Sequence, residues 1–167
     1  FMGGGFTSRL MQALRVDSGL TYSAGAYASP QKNYGRKGIS TFTKNKTLID
    51  LLKMIDKVVT KNSREIPKPL LEKTKIFVKG NYLYELESST NFLATLQYYD
   101  TIGRPYDEIY EYPKEVDKLN AKEVMKKVKS LYADPDNSIV IVGNKKLEKV
   151  LKKAGYKVNV IKAEDYL

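Results

Sequence analysis

The sequence contains no histidine and no cysteine, so it lacks the side chains behind most catalytic metal sites. A catalytic zinc ion takes imidazole or thiolate ligands in nearly every case. Ser-His and Cys-His nucleophiles are excluded for the same reason. A metal would have to rest on carboxylates alone, and no clustered acidic motif indicates such a site. We therefore expect no catalytic residue, no metal ligand and no cofactor in this chain.

Long apolar runs are missing too, because no stretch approaches the roughly 20 residues of a membrane-spanning helix. A hydrophobic content of 42% over 167 residues is typical of a globular chain with a sizeable core. The lack of cysteine leaves the compartment open, since disulfides are its usual marker. We expect residues 1–167 to form one domain. Because Phe1 stands inside a motif, we also expect part of that domain to precede it.

Acidic residues are scarce in the first part of the chain. Residues 1–66 carry 11 Lys and Arg against 4 Asp and Glu, whereas the remainder carries 18 against 15. A basic surface can bind nucleic acid, an anionic membrane surface or an acidic partner. No RNP aromatic box, GXXG loop or compact basic helix accompanies the charge. A lysine-rich solvated surface therefore explains the charge better than a nucleic-acid-binding domain, which stays the least favoured alternative.

Local patterns predict a helix and then a hairpin at the start of the chain. Apolar residues at helical spacing predict a helix over 8–17, with Gly19 as its C-terminal cap. Residues 21–29 and 37–43 alternate as β-strands do, and turn residues separate them. These features predict a hairpin whose loop is longer than two residues.

Helical periodicity dominates the rest, with a long helix over 45–62 that has one apolar stripe. Two short β-branched runs, 138–142 and 157–161, predict the last strands. The order of elements predicts an α+β fold, a two-layer sandwich with a mainly antiparallel sheet covered by helices. Further helices are predicted at 70–87, at 90–102, after an Asn120/Glu123 capping box, and at 145–154. The residues predicted to be buried are Leu48, Leu52, Ile55, Val59, Val140 and Val142.

The stretch GGGFTSRLMQALRVDSGLTY, residues 3–22, is the most informative part of the chain. Three glycines, Gly3, Gly4 and Gly5, precede the first helix. Arg15 stands seven residues before Tyr22 across a predicted turn, so a permanent cation and a phenol donor can converge on one ligand. On spacing alone, a solvated arginine and a packing tyrosine are the commoner interpretation.

The longer passage GGGFTSRLMQALRVDSGLTYSAGAY resembles the C-terminal, non-catalytic domain of the pitrilysin/insulinase-type zinc metallopeptidases, a group that includes mitochondrial processing peptidase. The later passages NFLATLQYYDTIGRPYDEIYEYPKEVDKLNAKEV and SIVIVGN resemble it more weakly. The resemblance implies a LuxS/processing-peptidase-like sandwich whose N-terminal strands are missing. It also implies a peptide substrate and pairing with a zinc-bearing H-x-x-E-H domain, in the same chain or on a separate subunit.

In that family an arginine and a tyrosine seven residues apart reach the substrate near the zinc ion, and the matching positions are Arg15 and Tyr22. The resemblance also links the glycine-rich loop Gly3, Gly4 and Gly5 to substrate engagement, with a plain helix-entry turn as the alternative. It implies a substrate-binding half of a zinc metalloendopeptidase that is inactive alone. The alternative within the family is a catalytically silent structural or assembly subunit.

Overall fold

The computed structural model describes residues 1–162, which form seven α-helices and one two-stranded antiparallel sheet. This arrangement confirms the predicted α+β class with an antiparallel sheet. A π-helical turn, Gln12–Asp17, continues the first helix, and a 3-10 turn, Asn45–Thr47, leads into the second. The strands are β1 (Ala24–Pro30) and β2 (Gly35–Thr41); the helices are α1 (Arg9–Met11), α2 (Leu48–Asn62), α3 (Lys68–Leu86), α4 (Ser89–Ile102), α5 (Glu108–Lys118), α6 (Ala121–Tyr132) and α7 (Leu147–Lys153).

The hairpin has the predicted long loop. Ala24 lies opposite Thr41, and Pro30 lies opposite Gly35, so four residues form the connection. The backbone N–H of Gln31 closes this loop by donating to the Tyr34 carbonyl at 2.7 Å. Two helices pack directly against this hairpin, α1 on β1 and α6 on β2.

The main core joins α1, the hairpin, α2 and α6. Leu10 and Leu14 are fully buried, because successive turns of the first helix place them on the same inward face. The stripe on α2 supplies Leu51 and Val59 to the same core, whereas Leu48 packs with Leu147 and Leu151 of α7 in a second cluster. The other members of the main cluster are Met2, Met11, Ala24, Val58 and Val128.

Several local predictions are confirmed. Gly19, the predicted C-terminal cap, follows the first helix in the left-handed conformation at φ 61°. The Asn120 side chain accepts from the Glu123 N–H at 3.1 Å, and the Glu123 carboxylate accepts from the Asn120 N–H at 3.0 Å. This reciprocal capping box starts α6 as predicted.

Helix α5 was not predicted, because it contains Pro113, a residue that usually breaks helices. Proline cannot donate to the carbonyl four residues earlier, which here belongs to Ile109. The hydroxyl of Tyr82 on α3 donates to that carbonyl instead, at 2.9 Å. Burial raises the pKa of Tyr82, so the phenol keeps its proton and remains a donor. A contact between two helices thus replaces the missing intrahelical hydrogen bond.

The prediction of two strands near the end of the chain is wrong. Residues 138–142 and 157–161 form no strand, and Val140 and Val142 are 88% and 100% exposed rather than buried. Only Ile141 of the first run packs on a core cluster. The run borders a groove of about 750 Å³ beside β2, and within residues 1–162 neither it nor the outer edge of β2 has a strand partner. On α2, the predicted burial is confirmed for Leu48 and Val59, whereas Leu52 and Ile55 are only half-buried.

Candidate functional site

Arg15 lies in the π-helical turn that ends the first helix. Several hydrogen bonds hold this turn; among them, Gly19 N–H donates to the Arg15 carbonyl at 3.1 Å, Leu20 N–H to the Leu14 carbonyl at 2.9 Å, and the Ser18 hydroxyl to the Ala13 carbonyl at 2.7 Å. Leu14 is buried in the core, whereas the next residue, Arg15, lies on an adjacent face of the helix and is half-buried. Segments of π-helix are rare and occur often at functional sites.

Tyr22 lies in the connection between this turn and β1, two residues before the strand begins, and not on the strand itself as the sequence predicted. Side chains hold this connection in place. The Thr21 hydroxyl donates to the Ser23 carbonyl at 2.9 Å, and the Thr41 hydroxyl on β2 donates to the same carbonyl at 2.9 Å. The backbone around Tyr22 is therefore fixed, while its side chain is 70% exposed.

The fold brings the two predicted residues into contact. The guanidinium carbon of Arg15 lies 4.3 Å from the centre of the Tyr22 ring. It also lies 4.9 Å from the ring of Phe6, which is 57% exposed. Phe6 was not predicted, because its only sequence signal is an aromatic residue directly after the glycines. Phe6, Arg15 and Tyr22 form one surface cluster, called here the arginine cluster, in which both rings are exposed and Arg15 is half-buried.

The arginine cluster has unused donors. A guanidinium carries five N–H donors at its edge, which remain accessible when its faces contact aromatic rings. Within residues 1–162, the Arg15 side chain makes no hydrogen bond or ion pair. Each exposed cation–π contact contributes only about 0.5–1 kcal/mol. The contacts thus orient the cation without satisfying its hydrogen-bonding groups, and a ligand with carbonyl or carboxylate oxygens can do so.

The three opening glycines differ from one another. A side chain at Gly3 would place its Cβ 1.9 Å from the backbone nitrogen of Ala26 on β1, so only glycine fits there. A Cβ on Gly4 would meet nothing within 4 Å, and one on Gly5 would lie 3.1 Å from the Phe77 ring of α3. None of the three has a positive φ. A close backbone approach therefore occurs at Gly3, against β1 of this same chain.

Metal ligands are not assembled in the part of the chain that the structure covers. No group of three or more His, Cys, Asp or Glu residues within residues 1–162 is placed to hold a metal ion. In the same range, no helix is long and apolar enough to cross a membrane. The arginine cluster and the glycine loop therefore remain the candidate site.

Comparison with known proteins agrees with this fold. Residues 1–76 match the family profile described as the peptidase M16 inactive domain. A crystal structure described as a peptidase M16 inactive domain, from Pseudomonas fluorescens, superposes with a TM-score of 0.69 at 21% identity, over 78% of this chain and 31% of the other. A structure described as a protease from Helicobacter pylori superposes with a TM-score of 0.60 at 18% identity, over 79% of this chain and 32% of the other.

The resemblance inferred from the sequence is therefore confirmed as a similarity: residues 1–76 match the peptidase M16 inactive domain, and the fold is similar to that of a solved M16 inactive domain. A curated relative, the "non-peptidase homolog YmxG" of Helicobacter pylori, is 29% identical over 156 residues. The match covers 89% of this chain and 34% of that protein. The chain thus spans about a third of the length of the proteins that it matches.

Proposed function

We propose that this chain is the substrate-binding, non-catalytic half of a zinc-dependent metalloendopeptidase that degrades or processes peptides. The observation that carries the proposal is the arginine cluster, in which a half-buried guanidinium with unused donors touches an exposed phenol. The M16 inactive-domain match and the lack of His and Cys support a role without zinc of its own. The zinc ion belongs to a partner catalytic domain, in the same chain or on a separate subunit.

The chemistry of the arginine cluster suits a peptide backbone. Hydrolysis of a peptide bond develops negative charge on the attacked carbonyl oxygen, and fixed donors stabilise that charge. Arg15 supplies a permanent cation with several N–H donors, and Tyr22 adds a neutral hydroxyl donor. The rigid connection before β1 and the aromatic contacts hold both groups in place before the peptide arrives. Such preorganisation reduces the entropic cost of binding.

The glycine loop has two separable roles in this proposal. Gly3 is required by the fold, because β1 leaves no room for a side chain. Gly4 is exposed, and the fold leaves space for a side chain there. A role for the loop in substrate engagement therefore rests on Gly4 and on the backbone beside Phe6, where a peptide can approach closely.

A silent structural subunit is the second candidate, and one observation favours it. The H. pylori relative carries the name "non-peptidase homolog". In such a subunit the arginine cluster would contact another protein component or solvent, and its replacement would leave proteolysis unchanged. The two candidates differ in whether Arg15 affects turnover of a peptide.

The test is reconstitution with a zinc-bearing half that contains the H-x-x-E-H motif. We expect the chain alone to hold no stoichiometric zinc and to cleave no fluorogenic peptide. The reconstituted pair should hold one zinc ion and cleave the fluorogenic peptide. Cleavage by the zinc-bearing half alone at the same kcat/KM would contradict the proposal. Assembly of the pair with zinc bound but without any peptide cleavage would favour the structural subunit.

A further inference from the structure

Helix α3 carries an exposed apolar pit centred on Gly80. Ile76 and Phe77 precede Gly80 by four and three residues, and Leu83 and Tyr84 follow it by three and four. On an α-helix these are the four neighbours that surround a position. They are 70%, 43%, 57% and 74% exposed, respectively, in the part of the chain that the structure covers. These four apolar side chains thus surround a position that has no side chain, and the resulting depression is here called the Gly80 pit.

Internal packing does not explain Gly80. Glycine in a helix interior is less stable than alanine, so a structural reason is expected where it occurs. A Cβ on Gly80 would meet nothing within 4 Å, in contrast to Gly3, where it would meet the β1 backbone. The opposite side of α3 already faces α4 and α5, where Lys75 donates to the Asp117 carbonyl at 3.0 Å. Within residues 1–162, the pit is therefore a free surface with room for an added group.

A helix position that has no side chain and is surrounded by four apolar residues leaves a hole that can receive an apolar side chain from outside, as the holes in knobs-into-holes packing do. With glycine at the centre, the hole is deeper than it would be with any other residue. A single Leu, Ile, Met or Phe side chain has the size and chemistry for it. A charged side chain would lose hydration there without gaining a partner.

The pit is continuous with the arginine cluster. The Phe77 ring, one wall of the pit, lies against Gly5, since a Cβ on that glycine would be 3.1 Å from it. Gly5 precedes Phe6, whose ring touches Arg15. A peptide held at Arg15 would therefore pass the rim of the pit a few residues further along.

We infer that the Gly80 pit is a specificity site that accepts one apolar side chain of the peptide bound at the arginine cluster. The inference rests on the proposed function for its ligand, an extended peptide. It adds a substrate preference, which is an apolar residue at a fixed distance from the residue that Arg15 contacts. A second copy of this chain is the competing occupant.

The test uses fluorescein-labelled Ser-Gly peptides of roughly twelve residues, each with one Phe at a different position, and their all-Ser-Gly parent. Fluorescence polarisation measures Kd for the full chain. At one or two positions, Phe should tighten binding by about tenfold or more, the range that burial of a large apolar side chain provides. Gly80→Leu fills the pit and should abolish this preference without lowering the melting temperature. Lys126→Leu, which adds a leucine to an exposed position on α6, should retain it.

The outcomes separate the two proposals. Arg15→Ala should weaken the parent and the Phe peptides alike, leaving their ratio unchanged. Equal Kd values for all peptides would overturn the Gly80 pit inference, even if Arg15→Ala weakens every one of them. A preference that survives both Gly80→Leu and Tyr84→Ala would overturn it as well. So would a dimer in sedimentation velocity that Gly80→Leu dissociates, because a second copy would then occupy the pit.

Discussion

The front core, residues 1–62, and the tail segment, residues 138–142, are both rich in branched apolar residues but differ in how far those residues are exposed to solvent. In the front core, α2 buries Leu51 and Val59 against the hairpin and the first helix. In the tail segment, Val140 and Val142 are almost entirely exposed. A helix satisfies its backbone hydrogen bonds internally, whereas a strand needs a neighbouring strand to do so. An apolar β-like run without a partner therefore stays outside the core.

The largest effect is expected in the front core, for Leu51→Ala. Leu51 is 3% exposed, so the substitution removes buried contacts and leaves a cavity. We expect a loss of about 2–5 kcal/mol in the free energy of unfolding, measured by urea denaturation. Leu52→Ala, on the neighbouring half-buried position, should cost less. Equal losses for both variants would show that the core stripe on α2 is rotated.

Gly3→Ala is expected to destabilise next most strongly, because its Cβ would overlap the β1 backbone at Ala26. Overpacking of this kind costs about 1–3 kcal/mol. Gly4→Ala is the matched control, since its Cβ meets nothing, and its melting temperature should stay close to that of the wild type. Similar melting temperatures for both variants would contradict the close packing of Gly3 on the hairpin.

The connection between the two regions is expected to contribute a smaller, pH-dependent effect. The Lys37 ammonium on β2 donates to the Asp134 carboxylate at 2.9 Å, close to the start of the tail segment. Hydrogen bonds from Lys37 and from the Asp136 N–H hold the pKa of Asp134 below its ordinary value. The contribution to stability is therefore complete above about pH 4 and is lost as the pH falls through the lowered pKa.

Thermal melts of the wild type and Asp134→Asn at neutral pH and near pH 2 measure this contribution. The wild type should have a higher melting temperature than Asp134→Asn at neutral pH. This difference in melting temperature should narrow in acid, where both the protonated Asp134 and the substituted Asn are uncharged. A gap that is constant with pH would show that the ion pair contributes nothing to the attachment of the tail segment.

The smallest effect is expected for Val142→Ser in the tail segment. The side chain is fully exposed, so its replacement removes no buried contact, and the change in stability should lie within about 0.5 kcal/mol. Urea denaturation beside Leu51→Ala measures it. A loss above about 1 kcal/mol would mean that Val142 is buried in solution and that the tail segment pairs as a strand.

Much of the fold could be predicted, because its signals are local. The α2 stripe, the Asn120/Glu123 capping box and the Gly19 cap each depend on residues within one or two helical turns. Contacts between distant residues carry no such signal. The Tyr82 hydroxyl replaces the hydrogen bond that Pro113 cannot make, and it lies 27 residues before the Ile109 carbonyl to which it donates. The sequence therefore did not indicate α5.

The candidate site also has a part that local sequence signals predicted and a part that depends on contacts between distant residues. The spacing of Arg15 and Tyr22 on either side of a turn indicated that they could converge, and they do lie together. Phe6 escaped prediction because its contact with Arg15 depends on how the glycine loop folds back over the first helix. The Gly80 pit was not predicted from the sequence either. The helical pattern of α3 was visible, but which of its faces is covered depends on tertiary packing with α4 and α5.

The most direct test of the substrate-binding account is Arg15→Ala in the reconstituted peptidase. A hydrogen bond from a charged donor is worth about 1.5–3 kcal/mol, so kcat/KM should fall roughly 10- to 150-fold. Tyr22→Phe removes a neutral donor and should lower it only several-fold. Arg64→Ala, at an exposed arginine after α2, serves as the control.

The decisive measurement is kcat/KM of Arg15→Ala beside its melting temperature, with Arg64→Ala measured in parallel. The account predicts a large loss of activity for Arg15→Ala, an unchanged melting temperature, and wild-type activity for the control. Full activity of Arg15→Ala, or a loss that only follows a lowered melting temperature, would contradict substrate binding by the arginine cluster. The structural-subunit candidate would then be the better account.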